Sequence, residues 1–300
     1  MNGISDEYII ADRTVHLLDG RAVGVLQAGD ASGFPIFHFH GSGSSRLEAI
    51  LLAAEAARQG VRLIGVDRPG IGLSDMQTDY PVLEWPEDVR EIANNLRIDE
   101  FSVMGISAGS PYALACAHRI PDRLVSCGLV SSLSPGDILM QAGPIWMRSL
   151  FWIGKHMLPV FKLYLHLTVT DSLREKAASG KYLDGYASWL ADADKAVLAN
   201  PQTNRILSLA MAESYRQGVE ASREAAITLS FSWGFRPQDV NFEHIYLWHG
   251  EKDRLMGIAP TRLFAESLPH CTATYYPEEG HFSTTMNHAA EILSSLKQTW

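Results

Sequence analysis

The chain has 300 residues, of which 46% are hydrophobic and 20% are charged, and its formal net charge is −9. This length supports one sizeable hydrophobic core with room for an inserted segment, and the balanced composition excludes disordered, collagen-like and coiled-coil classes. The acidic balance leaves no basic stripe that could follow a phosphate backbone, so we exclude a nucleic-acid-binding function.

The sequence gives no sign of a targeting or membrane segment. The opening residues MNGISDEYII contain no basic segment followed by a long apolar stretch, so we expect no secretory signal. The most apolar stretch, residues 143–167, is interrupted by charged residues and a proline, so no membrane span is predicted. Three scattered cysteines, Cys116, Cys127 and Cys271, lack metal-type spacing and are typical of reduced thiols in a cytoplasmic protein.

The first predicted elements are two extended runs that meet at Asp19-Gly20, a dipeptide typical of a β-hairpin turn. Strand-like and helix-like segments then alternate to about residue 135, and the strand-like ones are FPIFHFHG, VRLIGVD, EFSVMG and LVSCGLVSS. Nearly uniform apolar strands that alternate with helices are typical of a parallel sheet covered on both faces. The sequence therefore predicts an α/β fold whose sheet is mixed at the edge that carries the hairpin.

The alternation is interrupted in the middle of the chain. Residues 136–237 have a helical pattern throughout and are rich in Trp, Met and Leu. Strand-like HIYLWHG and ATYYP follow, each with a helix after it. Because these later strands need the earlier ones to complete a sheet, we predict one α/β core, 1–135 and 238–300, with residues 136–237 inserted as a helical cap.

Ser107 lies between a predicted strand and a predicted helix in the pattern Gly-x-Ser-x-Gly. A serine on a strained turn brings neighbouring backbone close, which explains the small residues Gly105 and Gly109. The helix that follows directs free N–H groups and a positive dipole end at the site, which favours developing negative charge. The pattern predicts that Ser107 is a nucleophile; the alternative is a tight turn that happens to contain a serine.

A serine hydroxyl needs a base, and the base needs an orienting acid. Asp253 follows the strand in LWHGEKD, and His281 follows the last predicted strand. Both are expected at the strand ends where open α/β sheets gather functional groups, in the order serine, acid, histidine. We therefore predict the catalytic residues Ser107, Asp253 and His281. Three other acids are second choices: Glu251, Glu278 and Glu279.

Acyl transfer also needs an oxyanion hole, because negative charge develops on the carbonyl oxygen. We expect one backbone N–H donor from Ala108, directly after the nucleophile, and one from Ser42 in the loop HGSGSS. Gly41 and Gly43 in the same loop are predicted to lie against the substrate. The loop lacks the glycine spacing of phosphate-binding motifs.

Two further motifs receive structural interpretations. His38 and His40 share one strand face, but no third ligand follows at close range, so we favour hydrogen-bonded core histidines over a metal pair. Asp67 and Arg68 in DRPGIGLSD are expected to hold the backbone through hydrogen bonds, without a chemical role. We predict no metal and no cofactor.

Five segments together resemble the α/β-hydrolase fold superfamily, above all its lid-bearing bacterial serine hydrolases: FHFHG, DRPGIGLSD, GISAGSPYALACA, WHGEKD and EEGHF. The resemblance covers roughly 14–135 and 238–300. It implies an eight-stranded, mostly parallel sheet flanked by helices, a helical cap after strand six, and a Ser107–Asp253–His281 triad. Ser107 separates the chain from haloalkane dehalogenases and epoxide hydrolases, which carry aspartate there.

The sequence departs from relatives in this superfamily at two places. Ser42-Gly43 stands where many relatives carry a bulky residue or a proline, and Ala108-Gly109-Ser110 lacks the Gly-Gly pair of several relatives. The first departure affects the expected geometry of the oxyanion loop.

The predicted function is hydrolysis of a carboxylic ester through an acyl-enzyme on Ser107. An apolar cap over a polar triad favours a small-molecule substrate with a hydrophobic group. Trp146 and Trp152 are candidates to contact that group, and packing of the cap on the core is the alternative role for them.

Other functions stay open. The same triad on this fold could hydrolyse a C–C bond or a thioester, or support cofactor-free peroxidase-type chemistry. A non-catalytic protein that binds a small ligand is the alternative from another class. Assembly into a homodimer is also left open.

Overall fold

Eight β-strands form one sheet in the computed structural model, which describes residues 6–179, 189–230 and 233–297. In chain order they are β1 (Ile9–His16), β2 (Ala22–Gly29), β3 (Phe34–Phe39), β4 (Val61–Val66), β5 (Phe101–Ile106), β6 (Leu124–Val130), β7 (Ile245–Gly250) and β8 (Thr272–Tyr276). Their order across the sheet is β1-β2-β4-β3-β5-β6-β7-β8. β2 pairs antiparallel with β1 and β4, and all other neighbours are parallel. The predicted eight-stranded, mostly parallel sheet is confirmed.

The predicted hairpin at the start of the chain is also confirmed. β1 and β2 are antiparallel neighbours, with Val15 opposite Val23. Gly20 in the connecting turn has φ +92°, a left-handed conformation that glycine adopts without steric cost. The hairpin therefore forms the mixed edge of the sheet.

Helices connect the strands and cover the sheet. Those outside the chain between β6 and β7 are α1 (Ala53–Arg58), α2 (Trp85–Asn95), α3 (Ser110–Arg119), α11 (Ile258–Ser267), α12 (His281–Asn287) and α13 (Ala289–Lys297). Those between β6 and β7 are α4 (Gly136–Ala142), α5 (Ile145–His156), α6 (Leu158–Thr168), α7 (Asp171–Ala178), α8 (Asp192–Ala199), α9 (Pro201–Ser214) and α10 (Glu220–Ser230).

The central strands are apolar on both faces because each face has its own core. In β3, Phe34 and Ile36 belong to a cluster with residues of α1 and α13, whereas Phe37 and Phe39 belong to a cluster with residues of α2, α3 and α11. Successive side chains of a strand point to opposite faces, so one apolar run supplies both cores. The sheet is thereby held between two helical layers, and its strand ends are fixed relative to one another.

The chain between β6 and β7 contacts the rest of the fold beside the carboxyl ends of the strands. α9 packs against a 3-10 helix, Arg46–Leu52, which follows β3. α8 packs against α12, which follows β8. These helices therefore lie next to the loops in which the sequence predicts the site.

The predicted domain boundaries reach beyond what the structure describes. The predicted cap, 136–237, includes residues 180–188 and 231–232, which lie outside the described residues. The ends of the predicted core do so as well. The division into core and cap stays a prediction.

Within residues 6–179, 189–230 and 233–297, no helix combines the length and apolar composition needed to cross a bilayer.

Cys116 and Cys127 are buried, Cys271 is half-buried, and all three are free thiols. Burial raises the pKa of the Cys116 and Cys127 thiols, so both stay uncharged at neutral pH.

Buried Arg46 joins three parts of the fold. Its Nε lies 2.6 Å from Asp12 Oδ1 on β1, and its Nη1 lies 2.7 Å from Asp67 Oδ2 and 2.8 Å from Glu213 Oε1. Asp67 follows β4 and is fully buried, and Glu213 belongs to α9. Removal of the guanidinium would leave the Asp67 carboxylate without its counter-ion in the interior.

We expect Arg46→Met to destabilise the fold by about 3–5 kcal/mol, because one partner of a buried charge network is lost. The measurement is the free energy of unfolding in urea. Arg58→Met is the matched control, because the Arg58 side chain is 75% exposed and its charged partner is Glu55, one turn away on α1. Equal unfolding free energies for the two variants would contradict the structural role given to Arg46.

Candidate active site

Ser107 occupies a strained turn between β5 and α3. It directly follows the last residue of β5, has φ +52°, and begins a 3-10 turn that ends at Gly109. A positive φ is uncommon for a residue with a side chain, and such residues cluster where function requires them. The turn predicted from Gly-x-Ser-x-Gly is therefore present.

The two glycines of the turn leave room for backbone on either side. A Cβ at Gly105 would collide with the carbonyl of Gly109, and a Cβ at Gly109 would collide with the backbone of Phe39 on neighbouring β3. Larger side chains cannot be accommodated at either position, as predicted. The close approach brings the serine next to the loop that follows β3.

Asp253 and His281 form a buried hydrogen-bonded pair. His281 is the first residue of α12, and its Nδ1 lies 2.8 Å from Asp253 Oδ2 in the loop after β7. The other carboxylate oxygen, Oδ1, accepts the backbone N–H groups of Leu255 at 2.8 Å and Met256 at 3.0 Å. Because an ionised carboxylate only accepts, Nδ1 carries the proton and Nε2 is left as the basic nitrogen.

Each member of the pair shifts the pKa of the other. Burial acts to raise the pKa of Asp253, but the charge and hydrogen bond of His281 outweigh it and hold that pKa below its usual range. Burial likewise acts to lower the pKa of His281, yet the net shift is upward, chiefly because of the Asp253 carboxylate. The charged imidazole is therefore stabilised where a general base must accept a proton.

His249 is a second histidine beside Asp253, and the sequence analysis did not single it out. Its Nε2 lies 3.5 Å from Asp253 Oδ2 and 3.3 Å from Thr261 Oγ1. Burial lowers the pKa of His249 to about 4, so its imidazole is neutral at neutral pH. The sequence signal that could have identified His249 was its position four residues before Asp253, inside the segment WHGEKD.

Ser107 and His281 line one cavity of about 230 Å³. Gly41 and Ser42, both predicted to lie at the site, line the same cavity. Within the described residues no hydrogen bond joins the Ser107 hydroxyl to the His281 imidazole. The structure thus brings the serine, the histidine–aspartate pair and the loop after β3 to one place.

A buried glutamate shapes the loop after β3. The N–H of Gly41 donates to Glu48 Oε2 at 2.9 Å, and His38 Nε2 lies 3.2 Å from the same oxygen. The N–H of Ser42 has no acceptor in the part of the chain that the structure describes. Gly43 has φ +65° and is not among the residues that line the cavity, and its contact with substrate stays a prediction.

Arg68 joins the same loop to the turn at Ser107. Its Nη1 donates to His40 O at 2.6 Å and lies 3.5 Å from Ala108 O, and its Nη2 donates to Gly41 O at 3.1 Å. The guanidinium also stacks over the Tyr112 ring at 5.2 Å. The predicted backbone-holding role of Arg68 is confirmed.

Asp67 has the corresponding role on the other side of the loop. Its Oδ1 accepts the N–H of Arg46 at 2.7 Å, and its Oδ2 accepts the N–H of Leu73 at 3.0 Å.

The role of Glu48 was not predicted from the sequence, because Ser45-x-x-Glu48 has the spacing of a capping box. Ser45 Oγ does accept the N–H of Leu47 at 3.4 Å, but the Glu48 carboxylate reaches Gly41.

The cavity is lined mainly by apolar side chains. These are Leu51, Ile106, Leu207, Met211, Leu255, Met256, Phe282 and Met286. Among the described lining residues none is lysine or arginine, and the ionisable ones are Glu48 and His281. Leu207 and Met211 belong to α9, so that helix supplies the apolar cover from the chain between β6 and β7.

The contacts of Trp146 and Trp152 with substrate stay a prediction. Both residues are on α5, where they are 49% and 51% exposed, and neither lines the cavity. The buried face of α5 is formed by Met147, Phe151 and Gly154, at helical spacing. The two tryptophans lie off that face, so the apolar character of this segment did not identify the helix that covers the site.

His38 and His40 each have a protein partner. His38 contacts Glu48, and His40 Nδ1 lies 2.9 Å from Gly41 O. In the described ranges no group of three or more His, Cys, Asp or Glu side chains is arranged to hold a metal ion. The two histidines support the loop after β3 through these contacts.

Comparisons with known proteins agree with this architecture. The model of the alpha/beta hydrolase fold family matches residues 35–284. A 2-hydroxymuconate semialdehyde hydrolase from Pseudomonas putida is 24% identical over 265 residues, which cover 86% of this chain and 83% of the relative.

Solved structures of low sequence identity share the fold. An esterase from Exiguobacterium antarcticum has a TM-score of 0.66 and 16% identity, and the match covers 96% of this chain and 98% of the esterase. An enol-lactonase from Burkholderia xenovorans LB400 has a TM-score of 0.67 and 13% identity, with 95% and 98% covered. Because the family model spans most of the residues, including the strained serine turn, the chain belongs to the alpha/beta hydrolase fold family.

Proposed function

We propose that this hydrolase cleaves a carboxylic ester with an apolar portion through an acyl-enzyme on Ser107. The observation that carries the proposal is the buried Asp253–His281 pair, 2.8 Å between Oδ2 and Nδ1, on the same cavity as a serine with φ +52°. A base oriented by a carboxylate, on the same cavity as the nucleophile, is the arrangement that acyl transfer requires.

The chemical steps follow from these positions. His281 Nε2 takes the proton of Ser107 as Oγ attacks the ester carbonyl, and Asp253 stabilises the imidazolium that forms. The N–H groups of Ser42 and Ala108 receive the negative charge of the tetrahedral intermediate. The imidazolium protonates the departing alcohol, and a water activated by the same histidine then releases the acid.

The oxyanion donors are supported by the hydrogen bonds around them. Gly41 N–H is already bound to Glu48, whereas Ser42 N–H has no acceptor in the described chain. Ala108 is in the first part of a helical turn, where N–H groups lack intrahelical acceptors. Arg68 ties the carbonyls of His40 and Gly41 together, which leaves the loop little freedom to turn these donors away.

The cavity favours an uncharged substrate. Its lining is mostly apolar, and its described residues offer no lysine or arginine to a substrate carboxylate. Burial of an unpaired charge is costly. The supported substrate class is therefore a neutral small molecule with a hydrophobic group, held beneath α9, and we propose residues 136–237 as the cap that carries this cover.

Hydrolysis of a C–C bond is the second candidate. The observation that favours it is the curated relative from Pseudomonas putida, whose name states a 2-hydroxymuconate semialdehyde substrate. A muconate is a carboxylate, and the described lining offers it no cationic partner. We therefore place ester hydrolysis first.

Ser107→Ala should lower the hydrolysis rate of p-nitrophenyl butyrate by at least about 10³-fold, because the nucleophile is removed. Ser110→Ala is the matched control, since Ser110 Oγ donates to Gly105 O and does not line the cavity. A fluorophosphonate probe should label wild-type protein at Ser107. Equal rates for wild type and Ser107→Ala would overturn the proposal, and absence of labelling would favour a non-catalytic binding protein.

The acid limb of kcat/KM should have its midpoint above pH 6.5, because the pKa of His281 is raised and the base acts in its neutral form. Activity is then lost as pH falls through that midpoint. Asp253→Asn should move the midpoint to lower pH and reduce kcat by about 10³- to 10⁴-fold, through loss of both charge and tautomer control. Glu251→Gln in the same loop is the control. A wild-type midpoint below pH 6.5 would contradict the assignment.

The neutral ester should be the better substrate in a matched pair. We expect kcat/KM for p-nitrophenyl butyrate to exceed that for mono-p-nitrophenyl succinate by about 100-fold, because the succinate carboxylate meets no counter-ion. Both rates are normalised to spontaneous hydrolysis of each ester. Similar normalised values would contradict the proposal of a neutral substrate. They would favour the second candidate, hydrolysis of a C–C bond in a carboxylate substrate.

A further inference from the structure

Asp194 is a fully buried carboxylate in α8, and none of the catalytic steps above uses it. Its Oδ2 accepts the N–H of His281 at 3.0 Å, and its Oδ1 accepts the N–H groups of Phe282 and Ser283, each at 2.9 Å. These three residues form the first turn of α12. A side chain from the chain between β6 and β7 thus binds the backbone of the predicted catalytic histidine.

The N-terminus of α12 depends on this distant carboxylate. The first N–H groups of a helix have no intrahelical acceptor, and a residue just before the helix usually supplies one. Here the preceding residue is Gly280, which has no side chain. A Cβ at position 280 would collide with the Asp194 carboxylate, so the glycine provides the space in which Asp194 reaches the helix.

His281 is held at three points by three different elements. Asp253, after β7, binds the imidazole Nδ1. Ser131, after β6, donates its hydroxyl to the carbonyl of His281 at 2.8 Å. Asp194, from α8, binds the N–H of His281. Only the last of these comes from the helices between β6 and β7.

We propose that Asp194 is a positioning residue for His281, so that the imidazole is correctly placed only while α8 is seated against α12. This inference rests on the proposed function, since it assigns His281 as the base. Displacement of α8 would leave three N–H groups of the first turn of α12 without an acceptor and the backbone of His281 without one of its anchors. The Asp194 carboxylate then links the helices that cover the cavity to the ability of His281 to act as the base.

The charges around His281 give the proposal a second, electrostatic readout. Asp253 after β7, Asp194 on α8 and Glu48 in the 3-10 helix are the negative groups that face the imidazole, and His249 on β7 is the nearby histidine. Burial lowers the pKa of His281, and these carboxylates raise it. Loss of the Asp194 charge should therefore lower that pKa, an effect that a purely structural helix cap would not need to produce.

Asp194→Asn tests the proposal, with Asp192→Asn as the matched control. The Asp192 side chain is on the same helix, is 98% exposed and contacts Lys195. We measure kcat, KM and the pH profile with p-nitrophenyl butyrate, together with the rate of fluorophosphonate labelling and the urea midpoint. Asp194→Asn should lower kcat by about 10- to 100-fold, the loss expected for a misplaced catalytic group, with KM within about twofold. Its acid limb should move to lower pH, and Asp192→Asn should match wild type.

Gly280→Ala tests the position of the Asp194 carboxylate separately from its charge. The added Cβ displaces the Asp194 carboxylate without removing it, so kcat and the labelling rate should fall. The urea midpoint should fall as well, because backbone N–H groups of α12 lose their acceptor. If Asp194→Asn fails to fold, Gly280→Ala decides. Wild-type kcat in a folded Asp194→Asn, or in Gly280→Ala, would overturn the proposal. An unlabelled wild-type Ser107 would instead overturn the proposed function, and this inference with it.

Discussion

The buried hydrogen bond between Asp253 and His281 depends on how two neighbouring parallel strands end. β7 and β8 pair in register, with Gly250 opposite Tyr276, so the loops that follow them start side by side. Backbone bonds then tie the loops together, from Glu251 N–H to Tyr276 O and from Lys252 N–H to Glu279 O, each at 2.9 Å. A carboxylate and an imidazole 28 residues apart in sequence can meet only because the sheet fixes both loops. The chemistry at the site therefore follows from strand pairing.

The helices between β6 and β7 are anchored to this framework by two carboxylates, one half-buried and one fully buried. Glu213 on α9 binds Arg46, beside the loop after β3, and Asp194 on α8 binds the first turn of α12. Between these polar anchors, Leu207 and Met211 of α9 face the cavity. Hydrogen bonds to these carboxylates fix the positions of α8 and α9, and the apolar side chains of α9 determine which ligand groups fit beneath that helix.

Sequence signals of short range predicted much of this arrangement. The turn at Ser107 is encoded by adjacent glycines, and the loops of Asp253 and His281 by the strands just before them, so their place in the fold could be derived locally. Asp194 could not be found in this way, because its partner is 87 residues away and nothing next to it marks a helix cap. The exposure of Trp152 could not be predicted either, because an apolar helix pattern does not say which face is buried; α5 buries Phe151 and leaves Trp152 exposed.

Two buried arginines close to the site, Arg46 and Arg68, are not among the residues that line the cavity. Arg68 directs its donors at the carbonyls of His40 and Gly41, and Arg46 directs its donors at the carboxylates of Asp12, Asp67 and Glu213. Both guanidinium groups are buried and used to hold loops, so neither is free to bind a ligand carboxylate. A serine, an aspartate and a histidine in this arrangement are compatible with several hydrolytic reactions. Under the function proposed above, discrimination between a neutral ester and an anionic substrate lies with the cavity wall, whose described lining residues include no lysine or arginine.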